Sequence, residues 1–180
     1  MIINEIQNYR PQGTLPMESY HALNLEELIT KLNLQPHDEG GWFCRTYESN
    51  TIVKCNDRLG IERPSMTTIH YVLGGSARVT LLHCNRSDIV HFHEAGCAFR
   101  YVLLYPDGSL ETTLLGPGGR PQLIVPGGVY KACEVVSDDW GMIGEAVSPG
   151  FDYRDRTLMS EEKLANLFPQ YINRLQRYIP

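Results

Sequence analysis

At 180 residues the chain has the length of a single domain able to bury a sizeable core. Its formal charge of −5, with no basic run or stripe, excludes a surface built to hold duplex nucleic acid. No apolar stretch is long enough to span a bilayer, and Met1 to Glu5 do not begin a basic-then-apolar leader, so a cytoplasmic protein with no membrane partner is expected.

In chain order, residues 1–22 carry Pro11, Gly13 and Pro16 and read as an extended arm. Residues 23–35 predict a helix. Asn24 is its N-cap with Glu27 three residues on, and Leu25, Leu28, Ile29 and Leu32 form one apolar stripe. Pro36 ends it. From 41 to 147 the pattern changes to short strands broken by turn signals. Apolar runs such as Thr68–Leu73 and Leu123–Val125 are bounded by Gly-Gly, Pro-Asp-Gly, Gly-Pro-Gly-Gly and Pro-Gly-Gly, which predicts an all-β antiparallel barrel or jelly roll. Residues 148–180 predict a turn and then a helix from near Ser160. Its Leu164, Leu167, Phe168, Ile172 and Leu175 suit the cover of a barrel face, with Pro169 bending or interrupting it. Cys44, Cys55, Cys84, Cys97 and Cys133 are odd in number, scattered and without a C-x-x-C pair, so reduced thiols are expected rather than a disulfide framework.

The chemistry-bearing motif is His91-Phe92-His93. Side chains repeat every two residues along a strand, so both imidazoles are expected on one face, where they suit either metal chelation or acid–base work.

The run Leu34-Gln35-Pro36-His37-Asp38-Glu39-Gly40-Gly41-Trp42-Phe43 resembles the H-P-E-G-G-aromatic signature of a small cupin family long catalogued as a domain of unknown function. Further matches follow in the same order: Ser87-Asp88 ahead of His91, Arg120-Pro121-Gln122 leading to Val125-Pro126-Gly127-Gly128-Val129, and Ser148-Pro149-Gly150-Phe151-Asp152-Tyr153. Together they cover roughly residues 23 to 158. The resemblance implies one cupin domain over residues 1–180. That domain would be a double-stranded β-helix, or jelly-roll barrel, with an N-terminal and a C-terminal helix, a small-molecule pocket and a homodimeric habit. It implies no particular reaction, because cupins include dioxygenases, isomerases, metal-free epimerases and plain binding proteins.

Metal-binding cupins follow two histidines with a glutamate and then a histidine. Here His91 and His93 fill the first two places, but Cys97 and Ala98 stand where the carboxylate belongs and Lys131 stands where the last histidine belongs. An ammonium repels a cation, so no cofactor is expected; a divalent metal remains open if His83 joins His91 and His93. The alternative is acid–base chemistry. His91 or His93 would be the base, Tyr101 or Tyr130 the acid, and Lys131 with Arg100 would hold anionic oxygen, with Tyr71 and Glu39 lining the pocket. For Arg100 an outer-face ion pair, and for Lys131 a place at the barrel mouth, are the competing readings. The expected function is a metal-independent isomerase, epimerase, dehydratase or cyclase of a small oxygenated substrate. The alternatives are a binding protein for a sugar phosphate or nucleotide-like ligand, and a metal-dependent dioxygenase or isomerase. Ile89, Cys44-Arg45, His93 and an extra residue at Glu94-Ala95 depart from the family pattern, which points to a specialised substrate.

Overall fold

Residues 17–58 and 60–180 are described in a computed structural model. Most of the expected arm therefore lies outside the described residues; its end, Met17–Tyr20, forms a helical turn (α1). The predicted helix is Leu25–Lys31 (α2). The Asn24 side chain accepts the Glu27 N–H at 3.0 Å, and the Glu27 carboxylate accepts the Asn24 N–H at 2.9 Å. It stops short of the expected boundary because Asn33 takes a left-handed conformation, φ 51°.

The strands follow as β1 (Gln35–Pro36), β2 (Trp42–Glu48), β3 (Ile52–Cys55), β4 (Ile61–Pro64), β5 (Thr67–Leu73), β6 (His83–Asn85) and β7 (Asp88–Gly96). They continue as β8 (Phe99–Leu104), β9 (Leu110–Leu115), β10 (Gln122–Val125), β11 (Tyr130–Val135), β12 (Gly141–Ser148) and β13 (Arg156–Leu158). One sheet runs β1-β2-β5-β12-β7-β10, the other β13-β6-β11-β8-β9, and β3 pairs with β4 in a separate hairpin. All named pairings are antiparallel. This is the expected jelly-roll barrel.

Period-two alternation sorts each strand into an inner and an outer face. Tyr71, Leu73, Phe99, Tyr101, Leu103, Leu123 and Ile143 fill the space between the sheets. On the outside of the first sheet Val72, Ala95 and Met142 pack under Tyr20, Leu28 and Trp140. On the outside of the second, Val102, Leu104 and Ala132 are covered by Leu164, Leu175 and Tyr178. The covering C-terminal segment starts at Ser160, whose Oγ accepts the Lys163 N–H at 3.1 Å. Pro169 interrupts it, leaving Glu161–Leu167 (α3), a 3-10 turn and Ile172–Leu175 (α4). Glu94 is the extra residue foreseen in the sequence. It forms a bulge, since His93 faces Ile143 and Ala95 faces Met142 with no partner between. Among the described residues no helix is long and apolar enough to cross a membrane.

One buried ion pair fastens the segment after β12, which walls the central cavity. Arg63 on β4 is 2% exposed, and its Nε and Nη2 donate to the Asp155 carboxylate at 2.9 and 3.2 Å. Removing the cation leaves Asp155 buried without it. Arg63→Met is therefore expected to lower stability by about 3–5 kcal/mol in urea unfolding. Arg100→Met, on the outer surface, should cost about 1 kcal/mol or less. Equal costs would mean that Arg63 does not fasten this segment.

Candidate functional site

Between the sheets lies a cavity of about 160 Å³. Phe43, Ile69, Ile89 and Val147 form apolar walls, and the exposed Arg45 and Tyr153 mark its mouth. Its floor is polar: Glu39, Tyr71, His83, Lys131 and Glu145. The same five side chains also bound a second void of about 10 Å³, which adds Thr80, His91, Tyr101 and Cys133. That inner void has room for about one water. The five thus form a partition between the larger cavity and a small polar chamber.

Strand register explains the convergence. Lys131 on β11 lies directly opposite His83 on β6, and His91 on β7 directly opposite Glu145 on β12. Tyr101 faces inward from β8, opposite Cys133. Glu39 arrives on the turn between β1 and β2. Gly40 there has φ +103°, and a Cβ on it would lie 2.7 Å from the Val79 carbonyl oxygen. The tight turn and the functional carboxylate are one feature: the glycines let the chain double back and insert Glu39. The Tyr71 hydroxyl donates to the Gly40 carbonyl at 2.5 Å and holds the turn in place.

Partners define the protonation states. His83 Nδ1 donates to the Leu81 carbonyl at 2.8 Å, which leaves Nε2 as the acceptor for Lys131 Nζ at 2.5 Å. Burial, followed by the Lys131 charge, pushes His83 down to about 4, so it is neutral at pH 7. Glu39 Oε2 is 3.0 Å from His83 Nε2, and its Oε1 accepts from Arg156 Nη1 at 3.1 Å. Burial opposes the charge of Glu39, but His83, Lys131 and His37 together hold its carboxyl below the usual range. Glu145 is held down to about 2, where His91, Lys131 and His83 outweigh burial. His91 is lowered, chiefly by burial. Its Nδ1 is 3.4 Å from Glu145 Oε1 and 3.1 Å from the Tyr101 hydroxyl, while its Nε2 has no hydrogen-bond partner among the described residues. Burial also pushes Tyr71 and Tyr101 well up, and Cys133 up to about 12. At neutral pH the floor therefore holds ionised Glu39 and Glu145, the Lys131 ammonium, neutral imidazoles and neutral phenols.

Of the residues singled out in the sequence, His83, His91, Tyr101, Lys131, Glu39 and Tyr71 are brought together. Three are not. Arg100 lies between the inward Phe99 and Tyr101, so it points outward and donates to Glu134 at 2.8 Å. Tyr130 precedes the inward Lys131 and faces the C-terminal cover, where its hydroxyl lies 2.6 Å from Lys163 Nζ. His93 lines neither cavity; its Nε2 lies 3.2 Å from the Cys97 carbonyl oxygen and its ring packs on Gly116. Glu145 escaped the sequence reading. Its signal was available, as a single charged side chain in the otherwise apolar and small run Gly141–Val147.

The donors do not fit a divalent cation. His83 Nε2 accepts from Lys131, His93 is elsewhere, and an ammonium occupies the point where the carboxylates and imidazoles converge. Among the described residues no group of three or more His, Cys, Asp or Glu side chains is placed to hold a metal ion.

Residues 26–159 match the profile of a cupin superfamily family, DUF985, and the chain belongs to it. An uncharacterized protein of Saccharomyces cerevisiae is 32% identical over 161 residues, covering 80% of each chain. A hypothetical protein from Leishmania major superposes with TM-score 0.81 at 25% identity, over 87% of this chain and 99% of that one. A Shewanella oneidensis protein does so with TM-score 0.79 at 29% identity, over 88% and 98%. Oxalate decarboxylase from Bacillus subtilis shares the fold alone, with TM-score 0.52 at 14% identity over 79% of this chain and 34% of that one.

The neutral state of His83 carries a pH dependence. In the folded chain it stays unprotonated down to about 4, whereas unfolded it takes a proton near 6.5. Within that window the unfolded chain binds more protons, so stability is full above 6.5 and falls as pH drops toward 4, by on the order of 3 kcal/mol. Glu145, at about 2 against 4.5, adds a further loss below 4.5. Urea midpoints measured from pH 7 to 4 are expected to decline for the wild type and to flatten in His83→Gln. An identical slope in both proteins would contradict this assignment.

Proposed function

We propose that this cupin is an acid–base enzyme that shifts a proton on a small carbonyl or hydroxyl compound, by isomerisation, epimerisation, dehydration or cyclisation. One observation carries the reading: a buried ammonium, Lys131, hydrogen-bonded to a neutral imidazole beside ionised carboxylates at the closed end of an apolar-walled cavity. Lys131 is buried, so a fixed ammonium there acts more strongly on a developing oxyanion than it would in water.

Lys131 Nζ donates to the substrate oxygen and stabilises the negative charge that grows when a neighbouring C–H loses its proton. Glu145 is the acceptor with capacity to spare. Glu39 is tied to Arg156 at 3.1 Å, whereas Glu145 faces the neutral His91, whose Nδ1 lies 3.4 Å from Oε1. Its low value keeps it ionised and open to a proton at neutral pH. His91 and Tyr101 position Glu145 from the inner chamber, Arg156 positions Glu39, and Tyr71 fixes the Glu39 turn.

The test is solvent exchange. Small α-hydroxy ketones and arylacetaldehydes are incubated with the protein in D₂O, and loss of the α-proton signal is followed by NMR. Wild type is expected to accelerate exchange, and Lys131→Met and Glu145→Gln to reduce the acceleration by roughly 10²–10⁴-fold. Bound probes without protein-dependent exchange would overturn catalysis and leave a binding protein.

A further inference from the structure

We propose that Arg45 makes the cavity selective for a small monocarboxylate. The acid's carboxylate would lie at the mouth and its reacting oxygen at the floor; the floor assignment rests on the acid–base reading above. Arg45 occupies an inward position on a barrel strand. It pairs with Ile69 two residues after Phe43 pairs with Tyr71, and Phe43, Ile69, Tyr71 and Arg45 all line the cavity. The side chain is exposed at the mouth, where the guanidinium stays hydrated and charged until a ligand meets it. Among the described residues no carboxylate lies within ion-pair distance of Arg45. Arg156, also near the mouth, is committed to Glu39 at 3.1 Å and Asp38 at 3.6 Å.

The charge distribution sets the orientation of the ligand. At the floor Glu39 is paired with Arg156 and Glu145 faces the one ammonium of Lys131, so a further anion there finds no uncommitted cation. The anionic end must then face Arg45, and the neutral oxygen must face Lys131. A single uncommitted guanidinium matches one carboxylate through its two-pronged fork. A phosphate dianion calls for more positive charge than this mouth has free, so the sugar-phosphate reading is the weaker one. Between the ends the walls are apolar, with Phe151 and Tyr153 rings 5.0 Å apart beside the mouth. A volume of about 160 Å³ is near the ~150 Å³ that accommodates a benzene-sized body.

The proposal is tested with 4-hydroxybenzoate and its neutral isostere 4-hydroxybenzamide, each titrated calorimetrically into the full-length protein at pH 7. Wild type is expected to bind the carboxylate at least ~10-fold more tightly than the amide, as one charge-assisted fork permits. Arg45→Gln should bring that ratio to near one, and Lys131→Met should weaken both probes while preserving it. Equal affinities in wild type, an unchanged ratio in Arg45→Gln, or binding of neither probe would each overturn the proposal. The two readings fail separately. Loss of discrimination with catalysed α-proton exchange intact removes Arg45 alone; discrimination without exchange removes the acid–base reading and leaves Arg45 in place.

Discussion

Burying the Lys131 ammonium is the constraint around which the interior of this barrel is arranged. A charge of that size, 5% exposed, is strongly destabilising unless its neighbours compensate. Here compensation comes from opposite sides of the fold: His83 from the neighbouring strand, Glu39 from the Gly-Gly turn and Glu145 from the facing sheet. The carboxylates, in turn, are ionised in a buried place because the ammonium is there. No member of the set is stable alone. Such mutual dependence fixes geometry more tightly than any one contact, which is what a reacting group requires.

The same arrangement explains the departure from metal-binding cupins. Where those proteins concentrate donors around an external cation, this chain supplies its own cation on a side chain. An ammonium is a weaker electrophile than a divalent metal, but it also carries protons. In the proposed reaction Lys131 would both stabilise an oxyanion and return a proton to it, with the neutral His83 at Nε2 as a local exchange partner for that proton. The small chamber behind the partition, with Tyr101 and Cys133 held neutral, keeps further negative charge away from the floor.

Much of the fold was legible because turns and alternation are local signals. The Asn24 capping box, the Pro169 break and the extra residue at Glu94 all lie where the sequence placed them. Inward residues were legible only where strand parity could be counted without interruption. Lys131 follows directly from the Pro-Gly-Gly turn, and His91 from the middle of a long strand. Arg100 was misassigned because the count began at Ala98, before β8 opens at Phe99, and one residue reverses the face. Tyr130, one residue before Lys131, faces outward by the same rule. His93 shows a different limit. Alternation gives a face and not a depth, and two residues along the strand move its ring away from the floor to Gly116. Glu145 needed a question that periodicity does not ask, namely why an ionisable side chain interrupts an apolar strand.

From floor to mouth the cavity runs from paired charges, through apolar walls, to a guanidinium with no carboxylate within ion-pair distance among the described residues. In the proposed function this order bears on catalysis as well as recognition. In the proposed reaction, a ligand anchored at Arg45 by its carboxylate would have its far end directed at Lys131 before any proton moved, so the orienting interaction would lie outside the reacting centre. Negative charge would then develop on the oxygen nearest the ammonium, as Glu145 lost its own charge by accepting the proton. The number of negative charges at the floor is the same before and after transfer. Only their position changes, from a carboxylate beside a neutral imidazole to an oxyanion beside an ammonium. In a buried site that exchange of position needs little solvent reorganisation, and it favours the transition state over the bound substrate.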